Sequence, residues 1–179
     1  MRSIILAALL VSSACRAPDG ADDYNRIEAL IAHLRGPQAE LHFALSDPAH
    51  LGEPGDSRRD ALGAIIASGS AALPNLLAHL DDARLTGIVF TKLTPLGGVD
   101  VVPIYDDGMK LRYLAERKRA PSRYNVTIGD LCFLAIGKIV HRSFAPVRYQ
   151  PTECNVISSP TLSPELAAEV WKEWGNRSD

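Results

Sequence analysis

Residues 127–160 read TIGDLCFLAIGKIVHRSFAPVRYQPTECNVISSP, and the first half of this stretch decides the fold. Thr127 is a helix-capping residue. Asp130, three positions on, can reach back to the Thr127 amide, the reciprocal pattern that starts a helix. Leu131, Leu134, Ala135, Ile136 and Ile139 make that helix apolar on more than one side, so it belongs at a buried centre. Its second half is dense in Arg, Tyr, Gln and Pro.

Working outward, Ser163-Pro164-Glu165 opens a last helix, with Pro at the first helical position. Leu166, Val170 and Trp174 share one face, and Gly175 ends it. Upstream, Asp22 or Asp23 caps a helix bearing Ile27, Leu30, Ile31 and Leu34, spaced i, i+3, i+4, i+7. Gly36-Pro37 stops it. Residues 37–56 read as loop, with a helical turn expected around Leu41 to Leu45. Ser57 to Ser68 predicts a helix with Leu62, Ile65 and Ile66 on one face, capped by a left-handed Gly69. The next helix, from Ser70, carries Leu73, Leu76, Leu77 and Leu80 and tolerates Pro74 in its first turn. Joined by the Gly-Ser turn, the two predict an antiparallel hairpin. Between Arg84 and Tyr124, LTGIVF and VDVVPIY flank a Pro-Leu-Gly-Gly turn and read as a hairpin or extended loop pair. Residues 109–119 return to helix-compatible composition. The fold class is therefore mainly α, with a small extended insertion at about 84–124. Residues 23–179 form one domain, an ordinary size for one.

The stretch ALGAIIASGSAALPNLLAHLDD resembles a HEAT-type helical repeat, and DLCFLAIGKIV resembles the first helix of another. Taken with VRYQPTEC, these segments resemble a group of uncharacterised exported bacterial proteins of HEAT-repeat-like type. That resemblance covers roughly residues 57–175. It implies short antiparallel helix hairpins around a central buried helix and brings no reaction with it.

The 179 residues carry a net charge of -2 and 22% charged residues, so no charge bias points to nucleic acid. Met1-Arg2, an apolar run from Ile4 to Val11 and Ser12-Ser13-Ala14 before Cys15 make an export signal over residues 1–14. LVSSAC also resembles a bacterial lipoprotein box, which implies acylation of Cys15. Plain cleavage after Ala14 leaves Cys15 unmodified instead. Residues 15–22 form a tether. The expected location is the bacterial cell envelope, lipid-anchored, or periplasmic if Cys15 is not acylated, with lipid as the only membrane attachment.

With Cys15 acylated, two of the three cysteines remain in an oxidising compartment, which predicts a Cys132–Cys154 disulfide. The competing expectation is two buried thiols. Asp130, Cys132 and His141 name the parts of a thiol enzyme. Cys132 and His141, however, lie on opposite sides of a helix and about 13 Å apart along it, beyond the reach of a nucleophile and its base. The five histidines show no i, i+4 pair and no Cys-x-x-Cys companion, so no metal or cofactor is expected. Two polar clusters are candidate binding features. One is Arg117, Lys118 and Arg119 within the basic segment 110–123, suited to anionic lipid headgroups or an acidic partner. The other is Arg142, Arg148, Tyr149 and Gln150. The function expected is a non-catalytic helical-repeat protein that binds an envelope protein or cell-surface component. The alternative is an envelope hydrolase with a site built from the 84–124 insertion and the 142–152 loop.

Overall fold

The computed structural model describes residues 20–41, 45–51, 55–90, 99–101, 118–120, 123–149 and 155–175. In chain order the helices are α1 (Gly20–Ala32), α2 (Ser57–Ala67), α3 (Leu73–Ala78), α4 (Ile128–Ile139) and α5 (Pro164–Trp174). The strands are β1 (Ala39–Leu41), β2 (Leu85–Phe90), β3 (Val99–Val101), β4 (Lys118–Ala120), β5 (Tyr124–Thr127), β6 (Val147–Tyr149) and β7 (Asn155–Ile157). The fold is mainly α, with two small sheets.

α4 is the centre. Every residue from Ile128 to Gly137 is buried, including Leu131, Cys132, Phe133 and Ile136. Its start is the expected capping box: Asp130 donates its amide to the Thr127 hydroxyl, and the Asp130 carboxylate accepts from the Thr127 amide. α2 and α3 pack against α4, α1 packs on α2 and α3, and α5 packs on α3. The apolar faces meet there: Ile27, Ile31 and Leu34 from α1, Leu62 and Ile65 from α2, Leu76 and Leu77 from α3, Leu166 and Val170 from α5. The Ser163 hydroxyl caps α5 and Pro164 opens it, as expected.

Gly69 takes a left-handed φ of 60° after α2, again as expected. The helix pair that follows is not a straight antiparallel hairpin. Its two arms change direction by 116°. A 3₁₀ turn over Gly69–Ala72 intervenes before α3, which is only 6 residues long.

The strands bring the larger corrections. LTGIVF is a strand, but it does not form a hairpin with VDVVPIY. β2 pairs parallel with β1 and antiparallel with β5, whereas β3 belongs to the second sheet, in the order β4-β3-β7-β6. Both ends of the expected insertion are thus part of the core sheet, with Ile88, Phe90 and Val126 buried. Residues 42–44, where a helical turn was expected between Leu41 and Leu45, lie outside the described residues. Leu41 ends β1, and Leu45 bridges to Val147. Lys118–Ala120 is likewise strand rather than helix, paired with Val99–Val101.

Arg58, 2% exposed, pins the loops around this sheet. Its guanidinium holds Asp56 through two bonds, at 2.7 and 3.1 Å, and donates to the Pro37 carbonyl at 2.8 Å. A buried cation is tolerated because its carboxylate and carbonyl partners surround it.

Candidate functional site

α4 ends without an exit glycine. Val140 caps it, and the Arg142 amide bonds back to the Gly137 carbonyl at 2.8 Å. This is a Schellman-type ending, in which the residue after the cap adopts left-handed backbone and is usually glycine. Here that residue is His141, at φ 56°, the one non-glycine positive φ among the described residues. The Cβ of a non-glycine residue makes this conformation unfavourable.

The chain then turns back on the helix. Phe144, 2% exposed, stacks on Phe133 with centroids 4.8 Å apart and planes 8° from parallel. Gly137 makes that approach possible, since a Cβ there would lie 2.6 Å from the Phe144 Cβ and 2.9 Å from the Arg142 carbonyl oxygen. The result is a recess of about 400 Å³ with Phe144 and Gly137 in its lining and Ser46, Lys138, His141, Arg142 and Ser143 around them. Lys138 Nζ donates to Asp47 Oδ2 at 2.6 Å. That bond, with the Ala49 amide, holds the Asp47 carboxyl below its ordinary range. Arg142 makes an ion pair with Glu173 at 3.7 Å, longer than a hydrogen bond.

No family model matches the chain, and no curated protein or solved structure matches it. The site has to be read from its own chemistry.

Of the residues expected to bind, Arg142 lines this recess. Arg148 and Tyr149 lie on β6 and Lys118 and Arg119 on β4, in the second sheet. Gln150, Arg117, Cys15 and Cys154 lie outside the described residues. Cys132 is a free thiol, fully buried in the apolar core, and its expected disulfide partner Cys154 lies outside the described residues. Burial pushes its thiol well above the ordinary value, with the carboxylates of Asp82 and Glu28 adding to the shift. Such a thiol is inert as a nucleophile. His141 is exposed while Cys132 is sealed, so the thiol-enzyme constellation is not assembled.

One further polar cluster escaped the sequence reading, and a second extends the expected Thr127–Asp130 box to Tyr124. His79 sits between two carboxylates, with Nδ1 3.0 Å from Asp82 and Nε2 3.0 Å from Glu28. Burial works against its protonation, but the two carboxylates prevail and raise its pKa above the ordinary value. Asn75 supports Glu28 at 2.7 Å, and the Arg84 guanidinium overcomes burial to hold Asp82 down to about 2. This network ties α1 to α3 and its exit loop. The second cluster surrounds Asp130, which is fully buried and accepts from the Tyr124 hydroxyl at 2.6 Å and the Thr127 amide at 2.9 Å. Burial raises the Asp130 carboxyl despite these donors, and it raises Tyr124 as well. Both ring nitrogens of His79 are engaged by carboxylates and Asp130 is fully buried, so both clusters serve to hold the fold. The signal for the recess was present in the sequence: GKIVHRS runs out of a strong helix with His where an exit glycine belongs.

Proposed function

We propose that this chain is a non-catalytic binding module of the bacterial cell envelope, built around a HEAT-like helix pair. Its contact point for an envelope protein or cell-surface component is the recess at the end of α4. The observation that carries this reading is the recess itself, where Lys138, His141 and Arg142 gather beside a lining closed by Gly137 and Phe144. Packing of both α2 and α3 on α4 supports the helix-pair assignment. The leader supports export, with Cys15 acylated at the cell envelope and residues 15–22 as the tether. The basic residues Arg117, Lys118 and Arg119 would add weak, salt-sensitive attraction to anionic lipid headgroups.

A photo-cross-linking amino acid at position 141, introduced in the native envelope, tests the contact point. Position 85, also exposed but on β2, is the control. A discrete adduct from position 141 and none from position 85 is expected; no adduct at 141 defeats the reading. Intact mass of the mature protein tests the leader, and a retained Met1 or an unmodified Cys15 removes the lipid anchor.

A further inference from the structure

We propose that the end of the molecule where α4 and α5 finish is turned onto the lipid bilayer, with Trp171 seated in the headgroup layer. This rests on the acylation of Cys15 proposed above and adds which way the anchored module faces.

Contacts near both ends of the helices fix their directions. Toward the starts of α3 and α1, the Asn75 side-chain amide donates to the Tyr24 carbonyl at 3.2 Å. Past their ends, the Gly36 amide donates to the Thr86 carbonyl at 3.1 Å, so the two helices run the same way. α4 runs against them, because its first amides, of Ile128 and Gly129, bond to the carbonyls of Arg84 and Asp82 just beyond α3. α5 runs with α4. Thr161, just before α5, lies against Gly129 and Thr127, and Glu173 meets Arg142 where both helices finish. The starts of α1 and α3 and the ends of α4 and α5 therefore share one end of the molecule, and the recess lies there too.

The covalent chain supplies the occupant. α1 begins at Gly20, five residues after Cys15, and five residues reach at most about 18 Å. An acyl group on Cys15 thus holds this end close to the bilayer and leaves Leu85 and the start of α4 on the far side. The surface brought down fits that place. Trp171 is 47% exposed, and its ring lies over Gly175 at the end of α5, where a Cβ would meet it at 2.3 Å. An indole, with an apolar body and a polar N–H, is the side chain that a membrane–water interface favours. Charge does not select the lipid. Lys138 and Arg142 face Asp47 and Glu173, and the exposed Lys172 is offset by Asp22 and Asp23 in the first turn of α1. Uncharged phosphatidylcholine should therefore serve as well as an anionic lipid.

The test uses the full mature, acylated chain reconstituted in phosphatidylcholine vesicles, with co-sedimentation as the measure of attachment. The chain has two tryptophans, Trp171 and Trp174, both on α5, so its fluorescence reports on this end. When the lipid is brominated near the top of its acyl chains, the emission should fall by about half, since one of the two indoles sits at the interface. Trp171→Phe should remove most of that fall. Adding Leu85→Trp to the Trp171→Phe protein puts an indole at the opposite end, exposed on β2, and its emission should not change with bromination. Attached protein whose emission ignores bromine overturns the proposal and leaves the lipid anchor intact. So does an indole at position 85 quenched as strongly as Trp171, which would mean that the module lies on the bilayer without a preferred face. Protein that carries no acyl group and does not sediment overturns both readings.

Discussion

The two ends of α4 use polar groups in opposite ways. At the N-terminus, Thr127, Asp130 and Tyr124 close on one another, with Asp130 wholly buried and its bonded oxygen held at 2.6 and 2.9 Å. At the C-terminus, Lys138, His141 and Arg142 stand around a recess, paired at its rim with Asp47 and Glu173. Buried polar groups must be satisfied from within and so contribute to rigidity. Exposed charges contribute little to stability and remain able to exchange partners. One helix therefore anchors the fold at one end and presents chemistry at the other.

Asp130→Ala should produce the largest effect, because it strands the Tyr124 hydroxyl and the Thr127 amide in the interior. A loss on the order of 4 kcal/mol is expected in urea unfolding. A loss below about 1 kcal/mol would show that the N-terminal cluster is not the anchor the comparison makes it.

The His79 network gives an intermediate effect with a pH signature. Its folded pKa is raised, so the imidazolium favours the folded state. That stabilisation is fully present below the unfolded value of about 6.5 and is lost as pH rises through the raised folded value. Wild type should therefore lose about 1 kcal/mol relative to His79→Gln on moving from pH 6 to pH 9. Taking the difference between the two proteins removes the contribution of other titrating groups. A difference that does not change with pH would mean that the two carboxylates do not act on a charged ring.

The smallest effect has the opposite sign. His141→Gly replaces a strained left-handed residue by the one that adopts it freely, and should raise stability by roughly 0.5–1 kcal/mol. A destabilised variant would place His141 among the groups that hold the fold, and the contrast between the two ends would lose its basis.

Local signals account for what the sequence made legible. The Thr127–Asp130 box, the Ser163-Pro164 start and the Gly69 exit each depend on residues within a turn of one another, and each was read correctly. The strands were not, because their partners are remote. β2 was matched with the nearest β-branched run, yet it pairs with residues 39–41 and 124–127. Nothing in Ala39-Glu40-Leu41 favours a strand; only the neighbouring β2 makes it one. The recess was half legible. Arg142 was singled out from composition, but Lys138 was not, and His141 was weighed only as the third part of a thiol-enzyme constellation. The 116° bend between α2 and α3 depends on how both pack on α4, which no local pattern encodes.

The pairing of β1 with β2 has a consequence for how the chain comes to be folded. An array of repeats can form one unit at a time as the polypeptide emerges, since each unit touches only its neighbours. Here β1 and β2 flank α2 and α3, and the sheet they begin is completed only by β5. α4, on which α2 and α3 pack, follows later still. Until residue 139 has been delivered, α2 and α3 lack the central helix they pack on. Non-local pairing of this kind slows folding, so a nascent or threading chain stays open until nearly all of it has arrived.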